Sequence, residues 1–182
     1  MTNSTKPYTI AVVGPESTGK TVLCQSIAKR LECMWLPEYA RTYVERLGRP
    51  YTYADVEHIA QTQAAELHDR QQRLTGHELL IADTDLIITK VWFAHVYKQM
   101  PTWIDQAIGN EQIDLYLLCQ PDIPWQYDPV RENGTMREFF YNWYKREIER
   151  TQTPYAEIGG IGDTRTENAI NAIKQHIDKQ HK

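Results

Sequence analysis

The hydrophobic and polar positions of the chain divide it into short apolar runs and longer segments with helical spacing. Each apolar run is bounded by polar or turn residues, which is typical of a strand buried on both faces of a sheet. We predict strands at residues 8–13, 33–36, 79–83, 113–119 and 155–158.

Between these runs, apolar residues recur every three or four positions, the spacing of an amphipathic helix. The clearest case extends from Thr52 to Leu74, where Thr52 is placed to cap the helix and Val56, Ile59 and Leu67 share one face. The other predicted helices cover residues 22–31, 38–47, 86–98, 101–108, 136–150 and 164–177.

Strands that alternate with helices predict an α/β fold in which a five-stranded, mainly parallel sheet is flanked by helices. The 182 residues suit a single domain, 1–182, with a substantial core. Ligands of such sheets bind outside the carboxyl ends of the strands. The residues that follow each predicted strand are therefore the candidates for a functional site.

The segment after the first strand reads Gly-Pro-Glu-Ser-Thr-Gly-Lys-Thr and leads into a helix. A strand, G-x-x-x-x-G-K-[ST] and a helix make the phosphate-binding P-loop, whose backbone N–H groups face a polyphosphate at a helix N-terminus. The lysine would reach the β- and γ-phosphates, and the threonine hydroxyl would ligate Mg²⁺. The predicted phosphate contacts are Gly14, Glu16, Ser17, Thr18, Gly19, Lys20 and Thr21.

Two acids follow the third predicted strand. Asp83 ends the apolar run, as expected of a carboxylate that holds Mg²⁺ directly or through water together with Thr21. The alternative role for Asp83 is an ordinary helix N-cap. Asp85 competes for both roles. ATP and Mg²⁺ are the predicted cofactors.

Transfer of a phosphoryl group to a hydroxyl requires a proton acceptor, and Glu38 or Asp85 could serve. Arg131 and Arg137 lie in a polar, Gly-containing region at about 128–150, which we predict to be a small lid over the phosphates. The alternative is a solvated helix end in which these arginines pair with neighbouring glutamates.

Composition narrows the class of protein. The net charge of −4 argues against a general nucleic-acid binder, and no run approaches the ~20 apolar residues that span a bilayer. The three cysteines are scattered, which favours reduced thiols and a cytoplasmic location. Aromatic residues near predicted strand ends and loops, such as Trp92 and Trp125, are candidates for stacking on a planar ligand, although core packing is their commoner role.

Four blocks of sequence together resemble the ribosylnicotinamide kinase domain of NadR-type proteins, and the similarity extends from Tyr8 to the last helix. These blocks are the P-loop, Pro-Glu-Tyr-Ala-Arg at 37–41, Asp-Thr-Asp at 83–85, and the segments at 121–125 and 128–132. The resemblance implies the fold of P-loop nucleoside and nucleotide kinases. It also implies transfer of the ATP γ-phosphate to the 5′-hydroxyl of nicotinamide riboside, giving nicotinamide mononucleotide for NAD synthesis.

The resemblance also implies residue roles. Arg131 and Arg137 would belong to the lid, and Arg165, after the last strand, would contact ATP by stacking on the base. Whether Glu38 or Asp85 is the base stays open. The implied substrate contacts are Glu38, Tyr39, Arg41, Asp85 and Trp125.

NadR-type proteins usually carry an adenylyltransferase domain ahead of the kinase, whereas here Lys6-Pro7 leads directly into the first strand. We therefore expect a stand-alone kinase. Two alternatives remain from the residues: a kinase for another nucleoside or small alcohol, and a nucleotide-sensing switch that acts through a partner. A guanine-specific switch is disfavoured because Cys-Gln-Pro-Asp at 119–122 lacks the Asn/Thr-Lys-x-Asp pattern.

Overall fold

The structure is a computed structural model that describes residues 6–76, 78–125 and 134–180. Strands and helices alternate along the chain as the hydrophobic pattern predicts. The strands are β1 (Tyr8–Val13), β2 (Met34–Leu36), β3 (Leu79–Asp83), β4 (Leu115–Cys119) and β5 (Tyr155–Ile158). The α-helices are α1 (Lys20–Leu31), α2 (Tyr39–Leu47), α3 (Tyr53–Gln72), α4 (Leu86–Trp92), α5 (Ile104–Asn110), α6 (Arg137–Thr151) and α7 (Asp163–Gln180).

The five strands form one sheet in the order β2-β3-β1-β4-β5, and every neighbouring pair is parallel. β3 and then the edge strand β2 lie on one side of β1, and β4 and then the edge strand β5 lie on the other. The loops after β1, β3 and β4 therefore meet at the carboxyl edge of the sheet, where such folds bind ligands. The predicted α/β architecture is confirmed.

Helices cover both faces of the sheet. On one face, Ile10, Val12 and Leu117 pack against α1 and α7. On the opposite face, Ala11 and Val13 pack against α4 and α6. Because successive residues of a strand point to opposite faces, a strand buried on both sides needs an unbroken apolar run, and β1 is buried along its whole length.

The structure differs from the sequence predictions mainly in the segment after α4. A single helix was expected to Lys98, but a π-helical turn at Phe93–Tyr97 follows α4. The last helix begins at Asp163, so Thr164 lies inside it rather than capping it. Thr52 does cap α3, in a reciprocal capping box with Asp55. Within the described ranges, no helix is both long and apolar enough to cross a bilayer.

Candidate active site

The P-loop connects β1 to α1 and depends on two glycines. Gly14 crosses the end of β4 so closely that a Cβ atom would lie 2.8 Å from the carbonyl oxygen of Cys119, and its φ of 149° disfavours any side chain. Gly19 has a φ of 75° and immediately precedes α1. The glycines of the motif therefore permit the close approach to β4 and the turn into the helix.

Side chains hold the P-loop carbonyl groups in place. The Lys20 ammonium donates to the carbonyl oxygens of Gly14 and Pro15, both at 2.9 Å. The Thr18 hydroxyl donates to Pro15 at 2.8 Å. With Lys20 at its first turn, α1 directs the positive end of its dipole at the same loop, so the segment is arranged to bind an anion.

A cavity of about 440 Å³ extends from the P-loop into a pocket between α2, the π-helical turn and α6. Glu16 and Glu38 are the carboxylates among the described residues that line it, and Lys20 and Arg41 are its cations. Its aromatic walls come from Tyr51, Trp92, His95, Phe140 and Tyr144. One cavity thus joins a phosphate site to an acidic, aromatic pocket.

Asp83 lies at the end of β3 and is 2% exposed. Neither carboxylate oxygen has a hydrogen-bond partner among the described residues. Burial raises the pKa of Asp83, and the Thr21 hydroxyl and the Lys20 charge oppose that rise. A buried carboxylate that makes no close hydrogen bond within the described ranges and lies near a P-loop threonine is a suitable site for Mg²⁺, which one or two carboxylates and substrate phosphates commonly hold.

Asp85 caps the helix that follows β3. Its side chain is fully buried, does not line the cavity, and caps α4 by accepting from the N–H of Ile87 at 3.1 Å. Burial raises its pKa to about 6, while the Tyr116 hydroxyl and the backbone of α4 partly offset the cost of its charge. The carboxylate of Asp85 thus has the helix-cap role, one of those predicted for it, and does not line the cavity in this structure. Its expected role as base or substrate contact stays a prediction.

The block at residues 38–41 is divided between the cavity and the protein surface. Glu38 and Arg41 line the cavity, and Arg41 also pairs with Glu45 at 2.9 Å. The hydroxyl of Tyr39 instead lies 3.3 Å from Nε2 of His58 on α3. Tyr39 is therefore directed toward α3, because successive helical positions point in different directions, and its expected substrate contact stays a prediction.

Arg137, the first residue of α6, lies against the P-loop. It donates to the carbonyl oxygen of Ile123 at 2.7 Å and to that of Ser17 at 3.3 Å. Arg131, the other predicted lid arginine, lies outside the described residues, as does part of the predicted lid at 128–150. Trp125 is 41% exposed and does not line the cavity, so its place near a substrate ring stays a prediction.

Arg165 is buried next to the P-loop. Its side chain is 3% exposed, and its guanidinium donates to carbonyl oxygens of Thr18, Gln120 and Gly160 at 3.1, 3.1 and 2.7 Å. Stacking on a base needs an accessible guanidinium face, and this one is enclosed by three loops. In this structure the guanidinium of Arg165 is bound to loop carbonyl groups, and its expected contact with ATP stays a prediction.

Sequence reasoning missed most of the aromatic walls. Trp92 was a candidate for stacking, but His95, Phe140 and Tyr144 were not. The signal was present in the spacing, since Ile88, Trp92 and His95 lie on one helical face and all line the cavity. A π-helical turn, which carries His95 here, is frequent at functional sites.

The sequence of this chain matches a family model and a curated protein. The family model described as AAA domain matches residues 9–165. The chain is 25% identical to the trifunctional NAD biosynthesis/regulator protein NadR of Escherichia coli strain K12, over 96% of this chain and 45% of that protein. It therefore spans less than half the length of this curated relative.

Solved structures give the same picture of the fold. NadR in complex with NAD and AMP-PNP has a TM-score of 0.77 at 24% identity, covering 93% of this chain and 49% of that one. NadR in complex with NR has a TM-score of 0.79 at 22% identity, with 93% and 50% covered. Deoxyadenosine kinase from M. mycoides has a TM-score of 0.63 at 14% identity, with 92% and 99% covered. The expected resemblance to NadR-type kinase domains and the P-loop nucleoside kinase fold are confirmed.

Proposed function

This chain belongs to the AAA domain family, and from that premise and the geometry of its cavity we propose that it is an ATP-dependent kinase of nicotinamide riboside. It would transfer the γ-phosphate to the 5′-hydroxyl and release nicotinamide mononucleotide. The observation that carries the proposal is the single cavity that joins the P-loop to an acidic and aromatic pocket. The likeness to NadR structures that contain AMP-PNP or NR supports it.

The nucleotide half of the site follows from the P-loop. The Lys20 ammonium, which bonds to two loop carbonyls in this structure, would turn to the β- and γ-phosphates of bound ATP. Thr21 and the buried Asp83 would hold Mg²⁺, which neutralises charge on the phosphate oxygens. Arg137 keeps the first turn of α6 against the loop, close to the charge that develops during transfer.

The acceptor half suits a cationic planar ring. The nicotinamide ring of the riboside carries a positive charge, which aromatic faces and nearby carboxylates both stabilise. Glu16, Glu38 and Tyr144 line the same cavity, and burial and then the charges of the two carboxylates raise the pKa of Tyr144. Trp92 and Phe140 supply further ring surface. A neutral nucleoside would gain less from the two carboxylates.

Glu38 is our candidate for the group that accepts the proton of the 5′-hydroxyl. It lines the cavity at the start of α2, whereas Asp85 is enclosed away from it. The other carboxylate of the cavity, Glu16, belongs to the P-loop and offers a matched control. Loss of a positioned general base typically lowers a rate by roughly 100-fold or more.

The test is incubation with ATP, Mg²⁺ and a panel of ribosides, with mass spectrometry to detect the added phosphate. The panel contains nicotinamide riboside, nicotinic acid riboside, uridine, cytidine and thymidine, and Lys20→Ala serves as the inactive control. We expect phosphate on nicotinamide riboside, little on the carboxylated analogue, and none with the variant. We also expect Glu38→Gln to lower kcat far more than Glu16→Gln. Phosphate only on another nucleoside, or bound ATP with no product, would contradict the proposal.

A further inference from the structure

Arg165 connects three separate segments at the carboxyl edge of the sheet. Nε donates to Gly160 in the loop after β5, Nη1 donates to Thr18 in the P-loop, and Nη2 donates to Gln120 after β4. Nη2 also pairs with the carboxylate of Asp122. The guanidinium of this nearly fully buried residue is thus committed to carbonyl groups and one carboxylate.

Asp122 completes the arrangement. While one of its oxygens pairs with Arg165, the other accepts from the backbone N–H of Gly160 at 2.6 Å. The amide of Asn168 donates to the carbonyl of the adjacent Gly159 at 3.1 Å. The loop after β5 is therefore held at Gly159 and Gly160, and Arg165 connects it to the P-loop.

The contact with Thr18 has a consequence for the phosphate site. A trans peptide is planar, so its carbonyl and the N–H that follows point in opposite directions. When Arg165 holds the carbonyl of Thr18, it also fixes the direction of the Gly19 N–H. Gly19 has a left-handed conformation at the start of α1, where N–H groups of a P-loop bind phosphate, and a glycine peptide is otherwise free to rotate.

We propose that Arg165 is a positioning residue for the nucleotide. By holding the carbonyl of Thr18, it directs the Gly19 N–H toward the triphosphate, and through Asp122 it ties this peptide to the loop after β5. The inference rests on the proposed function only in taking ATP as the nucleotide. Binding of ATP without an acceptor tests it separately.

The test compares Arg165→Lys with the wild-type protein by isothermal titration of a non-hydrolysable ATP analogue. Lysine keeps the charge but lacks the planar fork that reaches three carbonyl groups at once. We expect the Kd to rise at least tenfold and the KM for ATP to rise with it, whereas the KM for the riboside changes less than twofold. Asp122→Asn leaves one uncharged acceptor oxygen where the carboxylate has two, so the side chain can no longer pair with Arg165 and accept from Gly160 at the same time. This variant should also raise the Kd for the analogue and the KM for ATP.

Glu147→Gln is the matched control for a general loss of stability. Glu147 is 5% exposed and pairs with Lys90 and Arg150, both at 2.6 Å, but it does not line the active-site cavity. We expect this variant to lower the melting temperature and leave the Kd for the ATP analogue unchanged.

An unchanged Kd in Arg165→Lys and Asp122→Asn would overturn the inference, as would an equal rise in Glu147→Gln. If wild-type protein binds the analogue but phosphorylates no riboside, the proposed function fails, and the Kd values still decide the role of Arg165. Should Arg165→Lys not fold, the Asp122→Asn values decide it.

Discussion

Replacing Asp85 with asparagine should stabilise the protein at neutral pH without impairing phosphoryl transfer. Asparagine is as good an N-cap as aspartate and can accept from the N–H of Ile87 in the same way. It removes an ionisable group that is fully buried between α4 and β4. The same substitution would abolish activity if Asp85 were the catalytic base, so one variant tests both its structural and its chemical role.

The magnitude follows from the pKa. Burial raises the pKa of Asp85 from its ordinary 3.8 to about 6. Between about pH 4 and pH 6 the carboxyl of Asp85 is still protonated in the folded protein but already ionised in the unfolded chain. The free energy of unfolding therefore falls as pH rises through this range, and this carboxyl changes it no further above about pH 6. Burial and then the charge of Asp85 also raise the pKa of the neighbouring Glu111, so the two carboxyls share this effect. We expect Asp85→Asn to match the wild type near pH 4 and to exceed it by roughly 1–3 kcal/mol at pH 7.

The assay is urea denaturation of both proteins at intervals from pH 4 to pH 8, together with kinase activity at pH 7. Asp55→Asn is a useful contrast, because Asp55 caps α3 but pairs with Arg49, which holds its pKa well below the usual range. That substitution should destabilise the protein at every pH in this range, because the contribution of Asp55 is lost only as pH falls below about 4 toward its lowered pKa. A lower stability of Asp85→Asn at pH 7, or a gain that does not vary with pH, would refute the reasoning. A folded but inactive Asp85→Asn would restore Asp85 as the base.

Three further predictions concern the cavity and the P-loop. Gly14→Ala should destabilise the protein by roughly 1–3 kcal/mol and weaken ATP binding, because its Cβ would lie 2.8 Å from a backbone oxygen; calorimetry and titration measure both. Asp83→Asn should raise the Mg²⁺ concentration that gives half-maximal activity by roughly 10-fold or more, and an unchanged Mg²⁺ titration would exclude Asp83 from the metal site. Trp92→Ala should raise the KM for the riboside by roughly 2- to 10-fold at constant Kd for ATP, and a shift in the ATP Kd instead would place Trp92 at the nucleotide.

The sequence by itself determined the class of fold and the phosphate site. Strands buried on both faces need unbroken apolar runs, and those of β1 and β3 ended within a residue of the observed positions. The P-loop could also be predicted from the sequence, because its glycines, lysine and threonine act within one short segment. Patterns of this kind depend on local backbone geometry, which neighbouring residues largely set.

Only the tertiary structure decided which acids line the cavity and which groups the arginines contact. Glu38 and Asp85 both follow strands, yet one lines the cavity and the other caps a helix inside the protein. Arg165 and Arg137 are likewise both basic residues at helix starts, but Arg165 is enclosed by loops from three parts of the chain. The direction of a side chain depends on packing against segments distant in sequence. Spacing along the chain therefore predicted that the site lies at the carboxyl edge of the sheet. Packing between segments distant in sequence decided which side chains at that edge face the cavity.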